Sequence, residues 1–477
     1  MHLLNPAPVA FELAERFSAA GHSLALVGGS VRDGLLGRLG DDLDFTTDAR
    51  PQQILELVRG WADAVWEIGI AFGTVGCQRA GYKLEITTYR SEAYDRSTRK
   101  PAVSFGDTLE EDLVRRDFTV NAMAVRFTGG SGDGPGLDFT DPHGGLGDLA
   151  DRVLRTPATP QQSFSDDPLR MMRAARFAAQ LGFTVAPEVC AAMAAMAERI
   201  SIVSAERVRD ELSKLLLAPD PRAGLALLTD TGLAGIVLPE LPKLRLEIDE
   251  HHRHKDVYEH TLTVLDQAIA LEDEGPDLVL RLAALLHDIG KPRTRRFEPG
   301  GGVSFHHHET VGAKMALKRL RELKFPGEVV DDVALLVELH LRFHGYGDGE
   351  WTDSAVRRYV RDAGPQLSRL HKLTRSDCTT RNKRKAAALS ASYDALEERI
   401  ARLREQEELD SIRPDLDGNQ IMELLGIPPG PAVGRAYRHL LELRLDQGPL
   451  GHDAAVTALR EWWAAQPPAE ETRRGRR

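Results

Sequence analysis

Residues 26–33 read LVGGSVRD, and residues 42–45 read DLDF. The apolar run that enters Gly28, Gly29 and Ser30 predicts a strand, a tight turn and then a helix that begins near Ser30. Backbone N–H groups at such a helix start bind phosphate, and glycine lets the phosphate approach closely. We therefore expect Gly29 and Ser30 to contact a phosphate group.

The second stretch carries two carboxylates on one strand face. Asp42 and Asp44 alternate with Leu43 and Phe45, so the two acidic side chains point the same way. They repel each other unless a cation lies between them, and oxygen ligands beside a triphosphate favour Mg²⁺. Two such ions can activate a 3′-hydroxyl and stabilise leaving pyrophosphate. Glu85, between apolar residues of another predicted strand, is the candidate third catalytic carboxylate; the alternative is an outward-facing strand residue.

Composition limits the class of protein. The chain has 477 residues, 42% of them apolar and 28% charged, which is typical of a globular protein of ~3 domains. We find no run of ~18 apolar residues and expect no membrane span. Three separate cysteines without a CxxC pair argue against a disulfide framework or a cysteine–zinc site, and favour the cytoplasm. The net charge of −11 argues against non-specific coating of nucleic acid but leaves a local basic groove open.

Four motifs in order identify a family. Together they resemble the bacterial class II tRNA nucleotidyltransferases, which are the CCA-adding enzymes and their poly(A) polymerase relatives. The resemblance covers about residues 20–240. It implies an α+β fold in which a nucleotidyltransferase head with a mixed β-sheet precedes an all-helical neck, an HD-type body and a helical tail. The motifs are residues 26–44, residues 115–122 (RRDFTVNA), residues 166–177 (DDPLRMMRAARF), and Glu206-Arg207 with Glu211.

Four regions are expected from this organisation. Strands are expected at 23–27, 43–46 and 83–89, all within the first region. The regions are a catalytic head at 1–155, a base-selecting and RNA-binding neck at 156–240, an HD domain at 241–384 and a helical C-terminal region at 385–477, which we expect to bind tRNA.

The third motif contains a candidate base-reading pair. Asp166 and Asp167 precede Pro168, which suits the first helical turn with a carboxylate as its cap. Asp167 and Arg170 are three residues apart and share a helix face. An acceptor beside a planar donor fork fits the edges of cytosine and adenine and rejects uracil and guanine. The family's usual pattern has Glu in place of Asp166, and the alternative for the pair is a helix cap with an ion pair.

Further residues resemble the family's nucleotide-binding positions. Arg116, Asp117 and Asn121 match positions that contact ribose and triphosphate, and Arg173 lies one turn beyond the base-reading arginine. A surface ion-pair network is the alternative. Glu206 and Arg207 are expected to brace the helix rather than touch substrate. The candidate nucleotide-binding residues are Gly29, Ser30, Arg32, Arg116, Asp117, Asn121, Asp167, Arg170 and Arg173.

A second site is predicted in the histidine-rich region. His260, His287, Asp288 and Asp377 each continue an apolar helical stripe, and inward-facing His and Asp are costly unless they are paired or bind metal. Together they resemble the H…HD…D pattern of metal-dependent phosphohydrolases, which implies a divalent transition metal or Mg²⁺. Satisfied core histidines are the alternative. A second metal could be held by His307 or His308 together with His340.

The expected function is template-independent addition of C, C and A to tRNA 3′ ends from CTP and ATP, with Mg²⁺ at the head. The alternatives are a poly(A) polymerase, an A-only or CC-only enzyme, and an HD phosphohydrolase whose head merely binds RNA. Asp167 and Arg170 fit both C and A, so they do not separate CCA addition from poly(A) synthesis or from partial addition. The stretch from residue 72 to Glu85 lacks the Gly-Arg-Arg-Phe-like sequence of the polymerase branch, which favours CCA addition.

Overall fold

A computed structural model describes residues 7–466 with internal gaps. Contacts divide the chain into two compact units, Met1–Pro242 with Glu322–Lys324, and Lys243–Arg321 with Phe325–Arg477. Each unit is described by itself. Phe72, which enters the comparison with the polymerase branch, lies outside the described residues. The gaps are residues 68, 71–72, 92–103, 107, 129–135, 247–255, 300–302, 344–350, 381 and 408–411.

A seven-stranded mixed sheet organises the first unit. Its strand order is β3-β4-β5-β2-β1-β8-β9, and β2 with β5 is the parallel pair among antiparallel neighbours. Two short pairs, β6 with β7 and β10 with β11, add to it. The strands are β1 (Leu24–Val27), β2 (Asp42–Thr47), β3 (Ala64–Trp66), β4 (Thr74–Arg79), β5 (Tyr82–Thr88), β6 (Arg90–Ser91), β7 (Ser104–Phe105), β8 (Ala124–Thr128), β9 (Gly136–Thr140), β10 (Val153–Leu154) and β11 (Thr184–Val185).

Helices surround this sheet and then continue as a helical region. Helix α7 has nine buried residues because alanines and large apolar residues alternate around it, and α9 and α10 pack against it. The helices are α1 (Pro8–Ala19), α2 (Gly29–Leu35), α3 (Pro51–Val58), α4 (Leu109–Val114), α5 (Gly145–Asp151), α6 (Pro160–Asp166), α7 (Leu169–Leu181), α8 (Pro187–Met196), α9 (Ala205–Leu216), α10 (Pro221–Asp230), α11 (Ala234–Val237) and α12 (Glu240–Lys243), with 3₁₀ turns at Thr119–Asn121 and Ala197–Ile202.

The second unit is helical apart from one short hairpin, β12 with β13. Helix α14 is buried from Val279 to Leu286, since α13, α17 and α19 pack around it. Its elements are α13 (Val257–Ala270), α14 (Leu278–Leu286), α15 (Lys291–Thr294), β12 (Arg296–Phe297), β13 (Val303–Ser304), α16 (His308–Glu322), α17 (Gly327–Leu339), α18 (Asp353–Ala363), α19 (Leu367–Ser376), α20 (Lys383–Glu407), α21 (Gly418–Leu425), α22 (Pro431–Gln447) and α23 (His452–Ala464).

The expected fold is confirmed: a mixed-sheet head is followed by helical regions. The three expected strands appear as β1, β2 and β5, each within one residue of its predicted ends. The short pairs β10–β11 and β12–β13 were not anticipated, because two-residue strands leave no periodic signal. Within the described residues, no helix is both long and apolar enough to cross a membrane.

Close packing between α7 and α10 generates a stability prediction. A Cβ atom at Gly224 would lie 2.5 Å from the backbone oxygen of Ala175, which cannot move aside. We expect Gly224→Ala to lower the free energy of unfolding by roughly 1–3 kcal/mol in urea titrations, because the helices must separate. The matched control is Gly235→Ala in α11, where nothing lies within 4 Å of the added atom. Equal stability of the two variants would contradict this packing.

Candidate functional site

The head carboxylates lie on adjacent parallel strands. Asp44 of β2 is paired in register with Glu85 of β5, so both side chains project from the same level and face of the sheet. Leu43 and Phe45 are each 1% exposed on the opposite face, as the alternation predicts. The three predicted carboxylates, Asp42 included, therefore lie on the same face of the neighbouring strands β2 and β5.

Ser30 fixes this strand to the following turn. Its hydroxyl donates to the Asp42 carbonyl at 3.3 Å and accepts from the Asp44 N–H at 2.9 Å. The side chain is buried, so the hydroxyl holds the backbone on both sides of Leu43. The predicted phosphate contact at Gly29 and Ser30 uses backbone N–H groups, so the hydroxyl contacts of Ser30 are an additional role, and the phosphate contact stays a prediction.

The electrostatics of Asp44 indicate a cation site. Burial raises the pKa of Asp44 to about 6; Arg116 opposes this rise, whereas Glu85 and Asp42 add to it. A nearby positive charge would stabilise the ionised form of Asp44, which burial disfavours. The three carboxylates offer only hard oxygen donors. These residues therefore fit Mg²⁺.

Gly28 makes room for an arginine beside the carboxylates. Its φ of +70° is one that L side chains rarely adopt. A Cβ atom there would lie 2.9 Å from Nη1 of Arg116 and 3.5 Å from Oδ2 of Asp44. Glycine at this position thus lets the guanidinium and the carboxylate approach each other across the turn.

Four predicted nucleotide-binding residues form one hydrogen-bonded chain. Arg32 Nη1 donates to Asn121 Oδ1 at 2.6 Å, and Asn121 Nδ2 donates to Asp117 Oδ1 at 3.0 Å. Asp117 Oδ2 then accepts from Nε and Nη2 of Arg173 at 2.8 and 2.5 Å. Helix α2, the 3₁₀ turn within the second motif and helix α7 are joined in this way.

The ring of Phe177 lies among three guanidinium groups, a feature that the sequence analysis missed. The Cζ atoms of Arg32, Arg173 and Arg176 lie 5.3, 5.5 and 4.0 Å from its centroid, and Phe118 contacts it edge-on at 5.7 Å. Cations are attracted to an aromatic face, so Phe177 helps to orient these arginines. The only sequence signal was an aromatic residue one position after Arg176.

The base-reading pair occupies the start of α7. The sequence analysis placed Pro168 in the first turn of the helix, but α7 begins one residue later, at Leu169. Asp167 Oδ1 accepts from the Leu169 N–H at 3.1 Å. Asp166 instead ends α6 and accepts from Gln162 Nε2. The prediction of a carboxylate N-cap is therefore wrong: the N-cap is Pro168, and Asp167 contacts the first helical N–H from one residue earlier.

Both members of the pair are held by neighbours. Nη2 of Arg207 donates to Asp167 Oδ2 at 2.8 Å, which matches its expected bracing role. Nη1 of Arg170 donates to the Ser163 hydroxyl at 2.9 Å, and Nη2 donates to the Arg115 carbonyl. These contacts restrict the rotamers of both side chains, as a fixed base-reading edge requires.

Four histidines and two aspartates of the second unit form one largely buried cluster. His260 Nε2 lies 2.9 Å from Asp377 Oδ1, and His287 Nε2 lies 3.1 Å from Asp288 Oδ2. Two groups of three have ligand atoms within 4.8 Å of one another: His260, His287 and Asp377, and Asp288, His308 and His340. The four residues predicted for the first metal therefore lie together. His308 and His340, two of the candidates for a second metal, lie with them.

The orientation of these histidines favours metal ligation. Nδ1 of His287, His308 and His340 each lies 2.6–2.8 Å from the backbone oxygen three residues earlier. A carbonyl oxygen only accepts, so Nδ1 carries a proton, and in the neutral imidazole that a metal binds, Nε2 then carries the lone pair. All three Nε2 atoms are buried without a hydrogen-bond partner in the described chain, which fits the ligand set of a divalent cation.

Of the two candidates at 307 and 308, the structure selects His308. Its Nε2 lies 3.2 Å from Asp288 Oδ1, whereas the His307 side chain is 83% exposed. Lys291, which the sequence analysis did not single out, is buried and donates to Asp288 Oδ2 at 2.9 Å. Its signal was the spacing of three residues after Asp288.

Asp117 generates a pH-dependent stability prediction. Burial opposes its ionisation, but Arg173 and Asn121 outweigh burial and lower the pKa of Asp117 to about 2. The lowered native pKa stabilises the fold above the unfolded pKa near 3.8, and this contribution is lost as the pH falls towards 2. We expect Asp117→Asn to cost about 3 kcal/mol at pH 7, since it removes the shorter of the two ion pairs of Arg173 and leaves only Glu211 at 3.6 Å.

The measurement is urea unfolding of wild type and variant at pH 7, 5 and 3. The stability gap should remain constant from pH 7 to 5 and narrow at pH 3. Asp151→Asn, an exposed residue of the same unit, is the control and should show little difference at any pH. A gap for Asp117→Asn that does not change with pH would contradict the assignment of its charge.

Models of known families match most of the chain. The poly(A) polymerase head domain matches residues 24–155, the probable RNA- and SrmB-binding site of polymerase A matches residues 182–244, and the HD domain matches residues 257–382. The three matches follow the same order as the motifs and the histidine cluster.

Relatives align along nearly the whole chain. The A-adding tRNA nucleotidyltransferase of Deinococcus radiodurans is 35% identical over 93% of this chain and 96% of its own length. The CC-adding enzyme of Thermus thermophilus is 34% identical over 92% and 93%. The structure of the Bacillus stearothermophilus CCA-adding enzyme in complex with CTP is 25% identical, covers 96% of this chain and 98% of that one, and has a TM-score of 0.66. These full-length matches confirm the resemblance: the chain belongs to the tRNA nucleotidyltransferase family.

Proposed function

We propose that this chain adds C, C and A to tRNA 3′ ends from CTP and ATP, without a nucleic-acid template. The observation that carries the proposal is the set of carboxylates Asp42, Asp44 and Glu85 on paired strands, with Arg116 beside Asp44. A protein that only bound RNA would gain nothing from placing three like charges together. We propose the predicted division at residues 155, 240 and 384, and the cytoplasm as location.

The reaction joins the tRNA 3′-oxygen to the α-phosphorus of the incoming nucleotide. The bond from this phosphorus to the bridging oxygen breaks, and pyrophosphate leaves. Bound Mg²⁺, two ions in this proposal, supplies the Lewis acidity that activates the hydroxyl and stabilises the leaving group. Asp42, Asp44 and Glu85 would hold the metal. Arg32 and Arg116 supply positive charge to the triphosphate, and the Asp117–Arg173 pair fixes the position of α7.

Asp44→Ala tests the carboxylate set. The substitution removes one proposed ligand of Mg²⁺. Nucleotide addition should fall at least ~10³-fold, because several kcal/mol of transition-state stabilisation is lost. Binding of tRNA should persist, since RNA phosphates are held by other side chains. Labelled-nucleotide incorporation and a filter-binding assay measure the two properties, and Asp151→Ala is the exposed control. Near-normal incorporation by Asp44→Ala would exclude the assignment.

A second candidate is addition of A alone. It is favoured by the A-adding relative, which is 35% identical along 96% of its own length. Three tRNA substrates separate the candidates: one lacking the terminal CCA, one ending in C and one ending in CC. A CCA-adding enzyme extends all three to full length with CTP and ATP, whereas an A-adding enzyme extends only the third. A CC-adding enzyme stops one nucleotide short.

Asp167 and Arg170 are proposed to select the base. The carboxylate accepts from the amino group of cytosine or adenine, and the guanidinium donates to the neighbouring ring nitrogen. An unpaired buried donor or acceptor costs ~1–3 kcal/mol, so UTP and GTP should be disfavoured by roughly ten- to a hundredfold per mismatched group.

Two variants test this selection. Arg170→Ala should reduce the use of CTP and ATP together, and Asp167→Ala should relax the rejection of UTP. The control is Asp166→Ala, whose carboxylate accepts from Gln162 in its own helix. Incorporation of each of the four nucleotides is measured. If both variants keep the wild-type ranking at undiminished rates, Asp167 and Arg170 serve only as a cap and an ion pair.

We also propose that the histidine cluster is a metal-dependent phosphohydrolase centre. The three inward Nε2 atoms and the carboxylates of Asp288 and Asp377 would hold a divalent transition metal or Mg²⁺, which supplies Lewis acidity toward water and a phosphate ester. Water adds to phosphorus, the ester P–O bond breaks, and the departing alcohol takes up a proton. Lys291, through its contact with Asp288, fixes the carboxylate orientation.

The two activities should be separable. His340→Gln should reduce bound metal, measured by elemental analysis of the full chain, and should abolish phosphatase activity with Mn²⁺, Ni²⁺ or Mg²⁺. It should leave nucleotide addition within about twofold of wild type, because the motifs of the first unit end before residue 243. His452→Gln, an exposed histidine, is the control. Loss of nucleotide addition with an unchanged melting curve would show that the sites depend on each other.

A further inference from the structure

The hairpin β12–β13 exposes one aromatic ring among arginines. Phe297 is 76% exposed, the highest value among the large apolar side chains of the described residues. Its ring faces the guanidinium of Arg295, whose Cζ lies 5.2 Å from the ring centroid. Arg293 and Arg296 are also exposed, and neither forms an ion pair within the described part of the chain. A single exposed aromatic ring beside arginines is not a conventional hydrophobic interface.

Both ends of this hairpin are attached to the histidine cluster. Before it, Lys291 donates to Asp288 at 2.9 Å, and its ammonium lies 5.7 Å from the ring centroid of Phe305. After it, the Phe305 carbonyl accepts from Nδ1 of His308 at 2.8 Å. The hairpin therefore connects two candidate metal ligands, and its base is anchored at the cluster on both sides.

We propose that this hairpin binds a single-stranded nucleic acid and presents its terminal phosphate ester to the histidine cluster. The proposal rests on the proposed phosphohydrolase centre and names its substrate class. A base stacks on an exposed aromatic face irrespective of sequence, and arginines neutralise the backbone phosphates. Three arginines against the single carboxylate of Glu298, which accepts from Ser304, give the hairpin a positive charge that suits a polyanion.

A protein partner fits this surface less well. Stable protein interfaces have a cluster of apolar side chains at their centre. In the described second unit, Leu271 and Phe297 are the exposed large apolar residues, at 38% and 76%. Leu271 ends α13 and belongs to a different segment from the hairpin. One ring with three cations instead matches the recognition of a base and its flanking phosphates.

The test compares two phosphate monoesters on the full-length protein in Mn²⁺. One is an RNA hexanucleotide with a 3′-phosphate and the other is 4-nitrophenyl phosphate, which carries neither a nucleobase nor flanking phosphates. Phe297→Ala should raise KM for the hexanucleotide roughly tenfold, as loss of one base stack predicts, and should leave kcat/KM for 4-nitrophenyl phosphate within about twofold. Phe297→Tyr should retain the wild-type KM. A DNA hexanucleotide of the same sequence distinguishes RNA from general single-strand binding.

Salt dependence tests the arginines. Arg296→Ala should reduce the slope of log(1/KM) against log salt by about 0.7, the value for one lost phosphate contact on a single strand. Arg321→Ala, an exposed arginine of the same unit, is the matched control and should leave the slope unchanged.

Cross-linking provides a readout independent of hydrolysis. A hexanucleotide ending in 4-thiouridine should cross-link to the peptide that contains Phe297, and Phe297→Ala should lose this product. Unchanged KM values together with cross-links elsewhere would overturn the proposed hairpin. If neither ester is hydrolysed with any divalent ion but the cross-link forms, the phosphohydrolase proposal is wrong and only the nucleic-acid platform stands.

Discussion

The ion pair between Asp117 and Arg173 is the contact on which the candidate nucleotide site depends. The Asp117 carboxylate is buried, so its charge depends on the guanidinium of Arg173, whose side chain is 34% exposed and also lies 3.6 Å from Glu211. Asn121 extends the pair to Arg32, and the backbone after Asp117 is held by the same carboxylate. One buried charge thereby fixes a helix of the head, a 3₁₀ turn and the base-reading helix relative to one another. Residues separated by more than 100 positions acquire a defined geometry because burial makes every alternative arrangement costly.

The carboxylates of the head and the histidine cluster of the second unit are assembled by different secondary structure. In the head, the interior strands β2 and β5 present carboxylates on one face of the sheet, where burial raises the pKa of Asp44 to about 6, with Glu85 and Asp42 adding to the rise. In the second unit, helices bring imidazoles inward, and backbone carbonyls fix the tautomer of His287, His308 and His340. Hard oxygen donors suit Mg²⁺, whereas mixed imidazole and carboxylate donors also suit transition metals.

The product of the reaction is not set by the base-reading pair alone. Cytosine and adenine offer the same order of amino donor and ring acceptor, so in the proposed role Asp167 and Arg170 would accept either. Relatives named A-adding and CC-adding align with this chain over 96% and 93% of their own lengths. The choice among A, CC and CCA must therefore depend on features beyond this pair, such as how the growing tRNA end is accommodated.

The sequence alone determined the family and the mixed-sheet head, and it supplied the candidate site residues that the proposals use. Strand alternation placed Asp42 and Asp44 on one face, and helical stripes turned His260, His287 and Asp377 inward, because both periodicities are local. Tertiary structure decided what depends on contacts distant in sequence: the register that sets Glu85 beside Asp44, the choice of His308 over His307, and the guanidinium groups around Phe177. It also shifted the start of α7 and left Asp166 in the preceding helix. Such outcomes follow from packing between segments, which no local pattern encodes.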